Sequence, residues 1–141
     1  MTIESFGEIN FISKDNEWFG RVNNISPDNK VELTICVDNK DQNITEKVEL
    51  IKEFAADYNT IMADLYDLAF KKYKDTQCQK SLEEIMQMYF LTAVVLKKDN
   101  KTWWLTLEPN VNVTSMYDHF LRFIMLDRKI TWANFDINTT A

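Results

Sequence analysis

The residues of this sequence that could carry catalysis are few and scattered. His119 is the only histidine, and it follows Asp118, a carboxylate that could orient its imidazole as a general base. A single histidine without a defined nucleophile is not a catalytic signature, because triads are recognised by a geometry that the sequence does not contain. We therefore predict no catalytic residue and interpret His119 as a half-exposed residue at the start of a strand.

The two cysteines, Cys36 and Cys78, are far apart and belong to no C-x-x-C motif. With one histidine in the chain, this usage excludes the common zinc sites and disulfide frameworks, and reduced thiols are expected. Cys36 lies near Glu32 and Asp38 and has no basic neighbour in sequence, so its thiolate should not be stabilised.

Metal and phosphate sites are equally poorly represented. The segment 38–43 with Glu49 resembles a calcium-binding loop, but Lys40 occupies a ligand position and Asn43 stands where the loop requires glycine. The acidic pair 83–84 is typical of a first helical turn, where the helix dipole favours carboxylates. The chain has only two glycines, which excludes the known phosphate-binding loops. We predict no metal site and no cofactor.

Composition indicates one ordered domain over residues 1–141, with 45% hydrophobic and 27% charged residues. The formal charge of −6 opposes binding to nucleic acid or to anionic lipid but allows a basic partner protein. The N-terminal residues lack a basic region, and the longest apolar run, around 89–96, is too short to span a bilayer. The sequence therefore predicts a soluble, cytoplasmic protein.

The elements that would position these residues are organised around one long helix, predicted over Thr45 to Lys74. Its apolar residues recur at alternating steps of three and four and form a stripe too wide for a two-stranded coil. A sheet must therefore cover it. The stripe consists of Val48, Ile51, Phe54, Ala55, Tyr58, Ile61, Met62, Leu65, Leu68 and Ala69.

Strand and turn signals on both sides of this helix predict an α+β fold. The expected antiparallel sheet combines an N-terminal three-stranded meander with two C-terminal hairpins, and a short helix follows the capping box Ser81 to Glu84. The predicted strands are Phe6 to Ile12, Trp18 to Val22, Val31 to Val37, Leu91 to Lys97, Thr102 to Leu107, Phe120 to Leu126 and Ile130 to Ile137.

Three aromatic residues are the candidate partner-binding residues. Strand alternation places Trp103 on the apolar face and Trp104 on an otherwise polar one. The same parity argument puts Tyr117 and Trp132 on the outer face, where aromatic residues often anchor protein interfaces. For each of them, partly buried packing is the competing interpretation.

Two parts of the chain together resemble a group of small bacterial domains of unknown function. The N-terminal part has Phe6-Gly-Glu-Ile-Asn-Phe11 followed by Trp18-Phe-Gly-Arg-Val22, and the C-terminal part has Tyr117-Asp-His-Phe-Leu-Arg-Phe123 with Asp127-Arg-Lys-Ile-Thr-Trp-Ala-Asn-Phe-Asp136. Some relatives of that group resemble immunity proteins of bacterial toxin systems. The resemblance implies a fold and an immunity-type function, and it brings no catalytic residue with it.

Two functions fit these observations. The first is a non-catalytic protein-binding domain, of the immunity type, whose partner is a basic, toxin-like protein. The second is a small enzyme or ligand-binding domain with a pocket between helix and sheet. A structural domain with another partner, and self-association, also stay open at this point.

Overall fold

The computed structural model describes residues 1–114 and 119–132. Within these ranges the chain forms three helices and nine strands. Their bounds are β1 Thr2–Ile3, β2 Gly7–Glu8, β3 Asn10–Ile12, β4 Glu17–Val22, β5 Val31–Cys36, α1 Thr45–Ala56, α2 Tyr58–Tyr73, α3 Leu82–Met88, β6 Tyr89–Leu96, β7 Thr102–Pro109, β8 Leu121–Leu126 and β9 Lys129–Trp132.

Seven of the described strands form one sheet in the order β3-β4-β5-β6-β7-β8-β9, and β1 pairs with β2 in a separate small sheet. All neighbours in the large sheet are antiparallel except β5 and β6, which run parallel. The three helices lie in the connection between these two strands. The predicted α+β class is therefore confirmed. The sheet was predicted to be antiparallel and is mostly so, but its parallel central pair was not expected.

The predicted first strand, Phe6 to Ile12, is divided into β2 and β3. Gly7 has a φ of +124°, which L-amino acids with side chains rarely adopt, and it allows the chain to bend. The bent segment crosses β4 closely at Gly20, where an added Cβ would lie 2.3 Å from the Glu8 carbonyl oxygen. The two glycines of the N-terminal motif thus serve a turn and a close backbone approach.

The predicted single helix over Thr45 to Lys74 is interrupted at Asp57. This residue has φ −93° and ψ 9°, and its N–H still bonds to the carbonyl oxygens of Glu53 and Phe54. The apolar stripe continues across the break without a change of phase, so its periodicity could not reveal the interruption. On the stripe, Ile51, Phe54, Ile61, Met62, Leu65 and Ala69 are buried, and Val48, Ala55, Tyr58 and Leu68 are partly buried.

The core lies between the helices and one face of the large sheet, which we call the inner face. Phe54 of α1 stacks on Trp103 of β7 with ring centroids 5.0 Å apart. The predicted capping box begins α3, since the Ser81 hydroxyl accepts from the Glu84 N–H and the Glu84 carboxylate accepts from the Ser81 N–H. This fixes the start of the last helix before the chain enters β6.

Truncation of Leu65 tests the helix–sheet packing. Leu65 is fully buried, so Leu65→Ala should lower the free energy of unfolding by about 2–5 kcal/mol through lost burial and a residual cavity. The control is Leu68→Ala, at a partly buried position of the same helix, which should cost less. Chemical denaturation measures both. A Leu65→Ala midpoint equal to wild type would show that the helix face is misassigned.

Alkaline unfolding tests the phenol cluster where α2 meets β6. The Tyr66 hydroxyl donates to the Tyr89 carbonyl oxygen at 2.9 Å, and burial raises the pKa of Tyr66 to about 12. The unfolded phenol has a pKa of about 10, so the stabilisation from this group is complete below about pH 10 and is lost as pH rises towards 12. Tyr66→Phe should therefore flatten the loss of unfolding free energy over this range, measured by urea denaturation at stepped pH. If the unfolding free energies of variant and wild type fall with pH at the same slope, this prediction is contradicted.

Candidate binding surface on the outer sheet face

The face of the large sheet that points away from the helices, here called the outer face, carries an uncharged row across five strands. The register aligns Phe19 with Thr34, Thr34 with Val95, Val95 with Trp104, and Trp104 with Ile124. Successive side chains along a strand alternate between faces, which is why these positions share one face. We call the five residues Phe19, Thr34, Val95, Trp104 and Ile124 the central row.

Charged side chains flank the central row on both sides. One flank contains Arg21 directly opposite Glu32, and the other contains Glu17 and Lys97. On the two flanks together, including the residue that follows β6, the acidic groups are Glu17, Glu32 and Glu108, and the basic groups are Arg21, Lys97, Arg122 and Lys129. The acidic excess of the whole chain is therefore not located on this face.

Trp104 is the most prominent residue of the central row. Its side chain is 39% exposed, and the Lys97 ammonium lies 4.1 Å from the centroid of its ring. A cation over an indole face is attracted by the ring quadrupole, by about 0.5–1 kcal/mol at an exposed site.

The turn that follows Lys97 is held in place by the side chains of Asp99 and Lys47. On the solvent side, the Asp99 carboxylate accepts from the N–H groups of Lys101 and Thr102 and from the Thr102 hydroxyl. These hydrogen bonds, the Lys101 N–H first among them, lower the pKa of Asp99 to about 2. Asp99 therefore stays ionised and keeps the turn closed at any physiological pH.

On the core side, the same turn is bound by Lys47, a residue that the sequence reasoning did not consider. Lys47 is 2% exposed, and its Nζ donates to the carbonyl oxygens of Lys97 and Lys98, at 3.5 and 3.3 Å, and to Asn100 Oδ1. Burial lowers the pKa of this amine. Its position on the same helix face as Ile51 and Phe54, a lysine within an apolar stripe, is the signal that could have revealed it.

Cys36 lies on the outer face beside Glu17 and near Lys97. Burial raises the pKa of its thiol, and the charge of Lys97 opposes this effect only in part. The thiol therefore stays protonated at neutral pH and is a poor nucleophile. This agrees with the sequence-based expectation that the thiolate is not stabilised.

The structure does not bring the three predicted partner-binding residues together. Trp104 is on the outer face, whereas Trp132 pairs with Phe123 and packs on it edge-to-face, with centroids 5.2 Å apart. Trp132 also contacts Tyr73 of α2, so the expectation that it points outward is wrong. Tyr117 lies outside the described residues.

The reason for the Trp132 error is the turn between β8 and β9. The sequence predicted a three-residue turn, Asp127 to Lys129, but only Asp127 and Arg128 form it, both with positive φ. Two residues with positive φ are typical of the tight hairpin turn that matches strand twist. The shorter turn begins β9 one residue earlier and fixes the parity that turns Trp132 towards the core.

The described residues were compared with the requirements of a metal site and of a ligand pocket. Within residues 1–114 and 119–132, no three carboxylate, imidazole or thiol side chains come close enough to hold a metal ion. A depression of about 450 Å³ lies between β1 and the start of α1, lined by Ile3, Gln42 and Val48 among others, and one of about 630 Å³ lies beside β3. Histidine and cysteine are absent from the described linings of both depressions.

The adjacent residues Trp103 and Trp104 form a matched pair that tests the face assignment. Trp103→Ala should lower the free energy of unfolding by about 3–5 kcal/mol because the ring is buried against Phe54. Trp104→Ala should cost less than Trp103→Ala because the Trp104 ring is 39% exposed and its removal loses less burial, together with the cation–π contact to Lys97. Equal losses in urea denaturation would show that both faces of β7 are covered.

None of the helices in the described ranges has the length and apolar composition that crossing a bilayer requires. Comparison with protein-family models, with curated proteins and with solved structures finds no match to this chain. The resemblance to immunity proteins therefore stays a sequence-based hypothesis, and the function is inferred from the outer face.

Proposed function

We propose that this chain is a non-catalytic protein-binding domain that uses the outer face around Trp104 as its contact surface. The observation that carries this proposal is the central row, an uncharged stripe that crosses five strands and has a partly exposed tryptophan near its middle. Charged groups flank it on both sides, as they do at many protein interfaces with an apolar centre and a polar rim. Tryptophan is among the residues that most often dominate the binding free energy.

The preferred partner is a basic protein, and its attraction comes from the whole chain rather than from the contact surface. The formal charge of −6 produces a long-range field that speeds encounter with a positively charged protein. The outer face itself carries more basic than acidic groups, so the final contacts should depend on Trp104 and the central row. Added salt should then slow association more than it changes dissociation.

The more specific form of the proposal is a cytoplasmic immunity-type protein that binds a basic toxin. Its support is the resemblance of the N-terminal motif and the closing hairpin to such domains, together with the acidic net charge. An immunity protein acts by occupying its toxin, so it needs a stable surface and no catalytic group.

A pull-down against the purified products of neighbouring genes tests the proposal. We expect capture of a basic protein, with an association rate that falls as salt is added and an affinity that falls at least about tenfold in Trp104→Ala. The matched control is Met86→Ala, which removes a 51% exposed apolar side chain from α3 on the other side of the sheet. Equal losses in both variants, or no loss in either, would exclude the outer face as the contact surface.

A further inference from the structure

We infer that the outer face is self-complementary and packs against the outer face of a second copy of this chain in a two-fold symmetric dimer. The inference rests on the proposed function because both assign binding to the same face. The second copy is the occupant when no other partner is present, and a partner of higher affinity must displace it.

Two sheets that meet face to face can be related by a two-fold axis that runs along the central row. Each residue of the row then lies opposite its own counterpart, so that Trp104 meets Trp104 and Ile124 meets Ile124 of the second copy. Such a contact buries apolar side chains of the two outer faces against each other, as between the two sheets of a β-sandwich. It also allows two indole rings to pair, an arrangement worth about 0.5–1.5 kcal/mol beyond burial.

The same axis exchanges the two flanks, so each charged residue of one flank lies opposite a residue of the other flank in the second copy. Arg21 and Glu17 lie on β4 at opposite sides of Phe19, so the axis places Arg21 opposite Glu17 of the second copy. Glu32 is placed opposite Cys36, whose neighbour on the adjacent strand is Lys97. Arg21 and Glu17 have opposite charge, and the symmetry makes this pair twice. Cys36 is neutral, so the cation nearest to Glu32 across the interface is Lys97.

An axis parallel to the strands gives a different result. If it passes through β6, the middle strand of the sheet, it exchanges β4 with β8 and places Arg21 opposite Arg122. Like charges directly opposed across an interface cost free energy. The charge pattern therefore favours the axis along the central row over the axis along the central strand.

The area of the face sets the expected strength. Five strands at about 4.8 Å spacing and six residues at about 3.3 Å rise give about 480 Å² for each copy, or about 1,000 Å² in total. This is at the lower limit for a specific interface. Each copy also carries a net charge of −6, which opposes approach. We therefore expect a weak dimer that forms with increasing concentration, and a monomer on dilution.

The experiment is a charge swap followed by sedimentation equilibrium of the full chain. Arg21→Glu and Glu17→Arg each place like charges opposite one another and should weaken dimerisation at least about tenfold. The double variant Arg21→Glu/Glu17→Arg restores opposite charges and should return the dissociation constant to about the wild-type value. Arg21→Glu also faces Glu32 of its own chain, so the melting temperature should fall slightly, while the circular dichroism spectrum should stay that of the folded chain.

The outcomes separate this inference from the proposed function. A wild-type chain that is monomeric at all concentrations overturns the dimer, even if it captures a basic partner. If the single swaps do not change the dissociation constant, the outer face is not the dimer contact. If the single swaps weaken the dimer and the double variant does not restore it, the axis along the central row is wrong. If a swapped variant fails to fold, Trp104→Ala replaces it, and an unchanged dimer in that variant also overturns the inference. If the double variant restores the dimer but the chain captures no partner protein, the dimer is supported and only the proposed function is contradicted.

Discussion

Strands β5 and β6 run parallel in the middle of a sheet whose other neighbours are antiparallel. A parallel pair cannot be closed by a tight turn, because the chain must return to the end of the sheet from which the first strand began. Here the return contains all three helices, and their buried residues belong to one core with the inner face. Among the described elements, no helix is left to cover the other face. The crossover thus places all the described helices on one side of the sheet, and the side chains of the central row belong to the other side.

The sequence predicts local features of this fold well and long-range ones poorly. Alternation separates Trp103 from Trp104 correctly because it depends only on the pleat of one strand. The capping box at Ser81 is equally local, since all its hydrogen bonds lie within one turn. By contrast, the pairing of β5 with β6 joins segments far apart in the chain, and no local pattern encodes it.

The errors at the candidate site have the same origin. Trp132 was misplaced because its side depends on whether the turn before it has two or three residues, a difference set by the positive φ of Asp127 and Arg128. Lys47 was overlooked because a lysine on a helix is normally solvated, and only the turn after β6 provides acceptors for a buried amine. The charge of the outer face was also not predictable, since net charge does not say which residues share a face.

Lys47 links the order of events during folding to the architecture. It lies in the first turn of α1, yet the acceptors of its amine, the carbonyl oxygens of Lys97 and Lys98 and Oδ1 of Asn100, come from a turn about fifty residues later in the chain. Until the β6–β7 hairpin has closed, burial of this helix end would leave the Lys47 amine in the core without hydrogen-bond acceptors. The amine therefore stays hydrated until then. Helix α1 can therefore form early but can dock fully only after that hairpin. The barrier to folding should accordingly include the entropic cost of closing a long loop, as is typical of folds with many contacts between residues far apart in sequence.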